Sequence, residues 1–180
     1  NCVVTDNYID SHNNASRGAG IYCDGNNSSV INCFILNNVT NTDEGYGGGM
    51  YMILGTSYNT MVANNYAKAN GGGIYIEDAM FYNNTVAFNK ADGFYSNSEY
   101  IIGAGGLFQY TASSGSNITL KLYNTIFYGN KNKAIDVANV NNFNGAYNCY
   151  VQTELDLQEI DENGEEVDNH ENENIETEYN

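Results

Sequence analysis

Residues 71–75 read Gly-Gly-Gly-Ile-Tyr, a phrase that recurs with small changes along the chain. The copies are Gly-Ala-Gly-Ile-Tyr at 18–22, Gly-Gly-Gly-Met-Tyr at 47–51, Ala-Gly-Gly-Leu-Phe at 104–108 and the more divergent Lys-Ala-Ile-Asp at 133–136. Self-similarity of this kind is the signature of a solenoid, in which each repeat stacks on its neighbours. The repeats therefore predict an architecture, although their spacing does not identify a chemistry.

A second phrase consists of an apolar residue, a spacer, an Asn that starts a turn, and further apolar residues. Its anchors are Asn7, Asn32, Asn64, Asn83, Asn124 and Asn148. Six anchors predict about six coils, and the polar, Gly-rich segments 41–47, 92–104 and 112–117 are expected to be loops. A second Asn follows five of the anchors six residues later, at Asn13, Asn38, Asn70, Asn89 and Asn130. Stacked amides at equal positions can form hydrogen bonds along the stack.

The aligned glycine-rich phrases alternate in the way expected of a strand with one buried face. The inward column is predicted to be Ile21, Met50, Ile74, Leu107 and Ile135, followed two residues later by Cys23, Met52, Ile76, Gln109 and Val137. The outward column between them is Tyr22, Tyr51, Tyr75, Phe108 and Asp136. Residues 1–151 show no helical period, and the chain has no Pro to interrupt a ladder. We therefore predict an all-β fold, a parallel β-helix.

The sequence also resembles a known family. Gly-Gly-x-Ile/Leu together with the literal Phe-x-x-Asn at 34–37 and 127–130 resembles the repeat of polymorphic outer-membrane proteins, which are secreted adhesin passengers. More broadly, residues 1–151 resemble the right-handed parallel β-helix of pectate-lyase-like proteins. The resemblance implies that fold, a secreted or cell-surface location and an adhesin-like role. It implies no single activity, because β-helices carry many functions.

Charge divides the chain into two parts. Residues 1–151, the predicted β-helix, carry ten acidic and all six basic residues, whereas residues 152–180 carry twelve acidic residues and no Lys or Arg. The acidic tail is expected to be a hairpin around Asn163-Gly164, a linker, or an irregular final coil. The overall charge of −16 argues against nucleic acid and anionic membranes as partners. No apolar run approaches the ~20 residues of a membrane span, and we expect a longer parent protein because Asn1 already lies inside a repeat.

The four cysteines do not form an evident disulfide framework. Cys23 falls in the inward column and is expected to be a buried small hydrophobe. Cys33 and Cys149 hold the same position of the second phrase but lie too many repeats apart to bridge. Cys2 could reach Cys23 or a partner elsewhere, so the sequence leaves the redox compartment open.

Candidate catalytic residues are sparse. Asn41-Thr42-Asp43 matches the first short motif of polygalacturonases, but their other motifs are absent. Glu77-Asp78 is the best carboxylate pair in the solenoid and could serve glycoside hydrolysis. The simpler explanation is a solvated corner for this pair and a polar loop for Asp43. His12 and His170 are isolated, so no zinc site is indicated. A calcium loop starting at Asp161 would need Gly where Glu166 stands, so no cofactor is predicted and a calcium site is the less favoured alternative.

The outward aromatic column is the positive functional hint. Tyr22, Tyr51, Tyr75 and Phe108 are expected to project from one face, where an exposed row could contact sugar rings or a partner surface protein. The alternative is that the rings stack on each other and are covered by the loops. The sequence thus favours an adhesin-like binding module. A fragment of a polysaccharide lyase or glycoside hydrolase, and a purely structural stalk, remain the competing interpretations.

Overall fold

The computed structural model describes residues 1–10, 15–25, 28–96, 98–110, 120–137 and 143–153. The predicted tail, apart from its first two residues, and the predicted loop at 112–117 lie outside these ranges. All regular structure in the described part is β-strand, as predicted. No helix in this part is long and apolar enough to cross a membrane.

The strands are short and follow each other in successive coils. The first coil contains β1 (Val3–Thr5), β2 (Tyr8–Ile9), β3 (Ser16–Arg17), β4 (Ile21–Cys23) and β5 (Ser29–Ile31). The second contains β6 (Phe34–Leu36), β7 (Val39–Thr40), β8 (Gly45–Tyr46), β9 (Met50–Met52) and β10 (Thr56–Tyr58). The third contains β11 (Met61–Ala63), β12 (Tyr66–Ala67), β13 (Ile74–Ile76) and β14 (Met80–Tyr82).

Longer strands appear toward the end of the described chain. The fourth coil contains β15 (Thr85–Ala87), β16 (Lys90–Ala91), β17 (Gly93–Ser96), β18 (Glu99–Ile102), β19 (Ala104–Gln109) and β20 (Leu120–Tyr123). The remaining strands are β21 (Ile126–Asn130), β22 (Lys133–Val137), β23 (Phe143–Tyr147) and β24 (Tyr150–Thr153).

Four parallel sheets form the sides of the solenoid, and the chain visits them in the order A, B, C, D. Sheet A contains β1, β6, β11, β15, β21 and β24, and sheet B contains β2, β7, β12 and β16. Sheet C contains β4, β9, β13, β19 and β22, and sheet D contains β5, β10, β14, β20 and β23. Two additions lie outside this frame: β3 pairs with β8 in parallel, and β17 pairs with β18 as an antiparallel hairpin within the predicted 92–104 loop.

The solenoid has about four regular turns, so the prediction of about six coils was too high. Four coils contribute a strand to every sheet, whereas the fifth has none in sheet B among the described residues. The count failed because the Asn anchors belong to two different corners. Asn32, Asn83, Asn124 and Asn148 lie at the corner between sheets D and A, whereas Asn64 lies at the corner between A and B and Asn7 next to that corner.

A column of asparagines, buried except for Asn7 at its end, runs beside the corner between sheets A and B. Its members are Asn7, Asn38, Asn65, Asn89 and Asn130. The backbone N–H and the side-chain Nδ2 of each of the first four donate to the Oδ1 of the next, at 2.8–3.1 Å. Asn70 of the predicted series lies elsewhere, and Asn13 is outside the described residues. The predicted amide stack therefore exists, and it includes Asn7 and Asn65, which do not lie six residues after an anchor.

The glycine-rich phrase and this asparagine column pack against each other. A Cβ built on Gly49 would lie 2.8 Å from Nδ2 of Asn65, and one on Gly73 would lie 2.8 Å from Nδ2 of Asn89. Contacts that short require a neighbour to move. The glycines of the first phrase therefore leave the space that the asparagine side chains occupy, and this packing repeats from coil to coil.

The core follows the predicted inward column of sheet C. The backbone register aligns Ile21, Met50, Ile74, Leu107 and Ile135. The three central members are fully buried, while Ile21 and Ile135 are partly buried and pack against the core. Phe81, Leu120 and Leu122 from sheet D and Ile35 and Phe127 from sheet A complete it. Gln109 is the exception, a fully buried amide with neither its oxygen nor its nitrogen bonded in the described structure.

All four cysteines are free thiols. Cys23 is partly buried against the core, close to the prediction. Cys33 and Cys149 occupy the same corner position in different coils, where each Sγ lies 3.2–3.5 Å from the carbonyl oxygen two residues earlier. Thr60 and Thr125 make the same contact with a hydroxyl. These two cysteines therefore act as substitutes for a corner threonine.

Candidate functional site

The aromatic row predicted from the glycine-rich phrase is present on the outer side of sheet C. The backbone register places Tyr22, Tyr51, Tyr75 and Phe108 side by side, with Asp136 following. The ring centroids of successive members are 5.5, 4.8 and 5.2 Å apart, and the two tyrosine pairs are stacked. The alignment of the row is as expected from the sequence.

The exposure of that row differs from the expectation. Tyr51 and Tyr75 are only 2% and 6% exposed, and Tyr22, at the end of the row, is 48% exposed. Tyr46 packs on Tyr75 with centroids 5.0 Å apart, and the Arg17 guanidinium lies 5.4 Å from the centre of the Tyr51 ring. The additional strands β3 and β8 supply these covering side chains. The alternative interpretation, in which the rings stack and are covered, describes the centre of the row.

Glu77, one of the weak catalytic candidates, belongs to this cluster. The Tyr51 hydroxyl donates a hydrogen bond to Glu77 Oε1 at 2.8 Å. Burial, then this hydrogen bond and the Glu77 charge, raises the pKa of Tyr51 far above its ordinary value. Tyr51 is therefore a neutral phenol at physiological pH and a poor general base. Asp78 is half-buried beside Glu77, and its backbone N–H donates to the carbonyl oxygen of Ile53.

Asp43, the remaining catalytic candidate, lies in an ion-pair network outside sheet B. Its carboxylate is 2.6 Å from the ammonium of Lys68. Nearby, Asp92 pairs with Lys90 at 2.8 Å and accepts a hydrogen bond from the Tyr66 hydroxyl. Partial burial works in the opposite direction, but the bonds from Lys90 and Tyr66 hold the pKa of Asp92 below its ordinary value. These carboxylates lie with cationic partners in one network, while Glu77 sits in a separate cluster.

No group of three or more His, Cys, Asp or Glu side chains in the described ranges could hold a metal ion.

The structure contains a second aromatic column, on the outer side of sheet D, that the sequence patterns did not predict. It consists of Tyr58, Tyr82, Tyr123 and Tyr147, which the backbone register aligns. Successive ring centroids are 4.9, 4.8 and 4.9 Å apart, and the ring planes differ by 11°, 3° and 9°. Tyr58 and Tyr147 are 37% and 51% exposed. This column is the tyrosine ladder.

A sequence signal for the tyrosine ladder does exist. Each ladder tyrosine directly precedes the Asn at the corner between sheets D and A, as Tyr58-Asn59, Tyr82-Asn83, Tyr123-Asn124 and Tyr147-Asn148. The corner asparagines adopt φ values of 47–54°, a left-handed conformation that Asn tolerates better than most residues. Nδ2 of Asn124 donates to Oδ1 of Asn83 at 3.0 Å, and Nδ2 of Asn148 donates to Oδ1 of Asn124 at 3.3 Å.

Apolar side chains continue this surface on the other side of the corner. Phe34, Ile126 and Tyr150 of sheet A point outward and are 51%, 44% and 54% exposed. We call the outward side chains of sheets D and A, with the corner asparagines between them, the ladder face. A contiguous exposed apolar surface rimmed by polar groups is typical of an interaction site. The only charged side chain among the described outward residues of the two sheets is Lys121.

Comparison of the chain with protein-family models, curated proteins and solved structures gives no match. The β-solenoid is therefore shown by the structure itself. No family match supports the resemblance to polymorphic outer-membrane proteins or to pectate-lyase-like proteins.

Proposed function

We propose that this chain is a secreted or cell-surface binding module, adhesin-like in role, that contacts glycans through the ladder face. The observation that carries the proposal is the tyrosine ladder. Its rings are parallel, evenly spaced and partly exposed, and they adjoin a row of corner amides. Tyrosine and asparagine are the side chains that binding surfaces use for rigid contact area and for adaptable hydrogen bonding.

The ladder face is ordered before any ligand arrives. Each inner tyrosine is held between two neighbouring rings, and the corner amides of Asn83, Asn124 and Asn148 bond to one another. Fewer rotamers are therefore lost on binding, which reduces the entropic cost of association. A phenol with the ordinary pKa of about 10 is already protonated at neutral pH, and partial burial, followed by the neighbouring Tyr123 and Tyr58, raises the pKa of Tyr82 further. Each such hydroxyl can donate and accept a hydrogen bond.

The row on sheet C supports binding less well, because its central rings are covered. Its accessible end consists of Tyr22 and Arg17, so that the row offers a ligand one exposed tyrosine ring. A lyase or hydrolase fragment is also less well supported. Asp43 and Glu77 are each engaged by a partner side chain, Lys68 and Tyr51, and lie in separate clusters.

A structural stalk is the second candidate function, and a specific observation favours it. Both aromatic columns and the buried asparagine column connect one coil to the next, so all three contribute to the stiffness of the stack. A stalk needs those internal contacts. It does not need an exposed and almost uncharged face.

A glycan array distinguishes the two candidates. The wild type is compared with Tyr82→Leu/Tyr123→Leu, which removes two ladder rings while keeping apolar side chains at both positions. The matched control is Tyr8→Leu/Tyr22→Leu, which removes two exposed tyrosines that lie outside the ladder face. Circular dichroism establishes that each variant retains its β-structure.

The proposal predicts array signals that the ladder variant loses and the control variant keeps. A wild type that binds no glycan would favour the stalk. Signals lost only in the control variant would move the contact surface to the part of the solenoid that carries Tyr8 and Tyr22.

A further inference from the structure

We infer that the ligand of the ladder face is an extended and uncharged polysaccharide that lies along the solenoid axis. This inference rests on the proposed function and specifies its substrate class.

Charge is distributed very unevenly around the solenoid. Outside sheet B, the Lys68 ammonium interacts electrostatically with the carboxylates of Asp10, Asp43 and Asp92. Outside sheet C, the aromatic cluster adjoins the carboxylates of Glu77 and Glu44. Among the described outward side chains of sheets D and A, the Lys121 ammonium is the only charged group. An acidic polymer laid on that face would lose hydration around many carboxylates and gain one counter-charge. An uncharged polymer avoids that desolvation cost.

The hydrogen-bonding groups of the ladder face repeat with the coils. Each of four coils presents one phenol hydroxyl and, beside it, one corner amide. A side-chain amide has two N–H donors and an oxygen with two lone pairs. Asn124 uses one donor toward Asn83 and one lone pair toward Asn148, so that one of each remains for a ligand. A surface that repeats the same groups at a constant step fits a ligand that repeats its own hydroxyls.

The orientation of the rings excludes one familiar mode of sugar recognition at the inner positions. The planes of Tyr82 and Tyr123 lie within 3° of each other at a centroid distance of 4.8 Å, so their facing surfaces are covered by each other. A sugar can reach the ring edges and the hydroxyls, but it cannot stack flat on these rings. Binding therefore depends on hydrogen bonds and edge contacts that accumulate along the ligand.

The step of the tyrosine ladder favours an extended chain. It repeats at 4.8–4.9 Å over three steps. An extended chain of linked pyranose rings advances by a comparable distance per sugar, so that one sugar can lie opposite each coil. A chain running across the solenoid would instead leave the ladder after a single coil.

Isothermal titration calorimetry with linear oligosaccharides tests this inference. The neutral probes are cello-, xylo- and manno-oligosaccharides from the dimer to the hexamer, and the acidic probes are oligogalacturonides of the same lengths. For at least one neutral series, we expect the affinity to rise about threefold per added sugar, the gain of about one net hydrogen bond, and to level off once the four stacked tyrosines are spanned. The oligogalacturonides should bind at least about tenfold more weakly at each length.

Two variants make the result specific. Tyr82→Phe/Tyr123→Phe keeps the stack but removes two hydroxyls, and it should flatten the dependence of affinity on chain length. Tyr8→Phe/Tyr22→Phe removes two exposed hydroxyls outside the ladder face and should leave the affinity for the neutral series, and its dependence on length, unchanged. Acidic chains that bind as well as neutral ones, or an affinity independent of length, would overturn the inference and leave the proposed function standing. A chain that binds no probe in calorimetry and no glycan on the array would overturn both.

Discussion

Asn65 shows how one buried side chain joins three coils. Its Oδ1 accepts hydrogen bonds from the backbone N–H and Nδ2 of Asn38 in the coil before, at 2.9 and 3.0 Å. Its own Nδ2 donates to Oδ1 of Asn89 in the coil after and to the carbonyl oxygen of Ile35. Gly49 faces it without a side chain, which leaves room for the amide. The register of neighbouring coils is thus specified residue by residue.

Replacing Asn65 by Ala should therefore be costly. The substitution leaves the buried backbone N–H of Asn38 without a partner and removes the bonds that the Asn65 side chain donates to Asn89 and Ile35. We expect the free energy of unfolding to fall by roughly 3 kcal/mol. Urea unfolding followed by circular dichroism measures the change. Asn41→Ala is the control, because among the described residues the Asn41 side-chain amide bonds only to the exposed Tyr8 hydroxyl, and a loss below about 0.5 kcal/mol is expected. Equal losses in the two variants would mean that the asparagine column does not hold the coils.

Gln109 presents the opposite case. Its amide is fully buried in the inward column of sheet C, beside Ile76 of the neighbouring coil, and neither its oxygen nor its nitrogen is hydrogen-bonded in the described structure. Because a buried amide without partners is destabilising, Gln109→Met, which has a similar volume, should raise the free energy of unfolding by about 1–2 kcal/mol. The same urea titration measures it. A less stable variant would indicate that the Gln109 amide contributes a favourable interaction.

Residue identity in the sequence predicted part of this arrangement. The recurrence of Asn correctly indicated stacked amides and turns, but spacing alone could not separate two classes of Asn. Asn64 and Asn65 are adjacent, and one forms the exposed corner while the other is buried in the column. Which of the two residues adopts the left-handed corner conformation and which side chain points inward is decided by the folded coil. That ambiguity produced both the excess coils and the misassigned Asn70.

At the level of strands, two aromatic columns have different roles. The row on sheet C, centred on Tyr51 and Tyr75, is covered by Tyr46 and Arg17 and joins the coils. The tyrosine ladder on sheet D is partly exposed along its length. The alternation of strand residues predicted that Tyr51 and Tyr75 point outward. It could not predict that β3 and β8, which arise from insertions of irregular length, would cover them.

The sheet C row predicts a sensitivity to alkaline pH. Burial, then the neighbouring Tyr51 and Tyr46 hydroxyls, raises the pKa of Tyr75 well above the ordinary value of 10.0. A folded-state pKa above the unfolded value favours the protonated fold, so this contribution to stability is complete below about pH 10 and decreases as the pH rises further. The unfolding free energy should therefore stay level between neutral pH and about pH 9 and then fall.

The variant Tyr75→Phe cannot ionise at that position, and its stability should decline less steeply in alkali than that of the wild type. Tyr22→Phe, at the exposed end of the same row, serves as the control and should follow the wild-type curve. Urea unfolding at a series of alkaline pH values provides the measurement. Parallel curves for wild type and Tyr75→Phe would show that ionisation of Tyr75 does not limit stability.

Over the whole molecule, the four sides of the solenoid have distinct chemistry. Sheet B carries the ion pairs of Lys68 and Lys90, and sheet C carries the covered aromatic row. Sheets D and A carry the ladder face, with its hydroxyls, amides and apolar groups. The sequence predicted the solenoid because its phrases repeat, and it pointed to aromatic residues as the contact groups. It predicted an exposed aromatic row on sheet C, but β3 and β8 cover the central rings of that row. Exposure depends on which side the insertions cover.

The most direct test of the account is a nuclear magnetic resonance titration that locates the ligand on the solenoid. The protein is titrated with the tightest-binding neutral oligosaccharide, and the side-chain amide and tyrosine ring signals are followed. We predict shifts for Tyr82, Tyr123, Asn83 and Asn124, with the signals of Tyr66 and Tyr75 unchanged. Shifts confined to Tyr22, Arg17 and Glu77, or no shifts at a saturating concentration of oligosaccharide, would contradict the assignment of the ladder face as the contact surface.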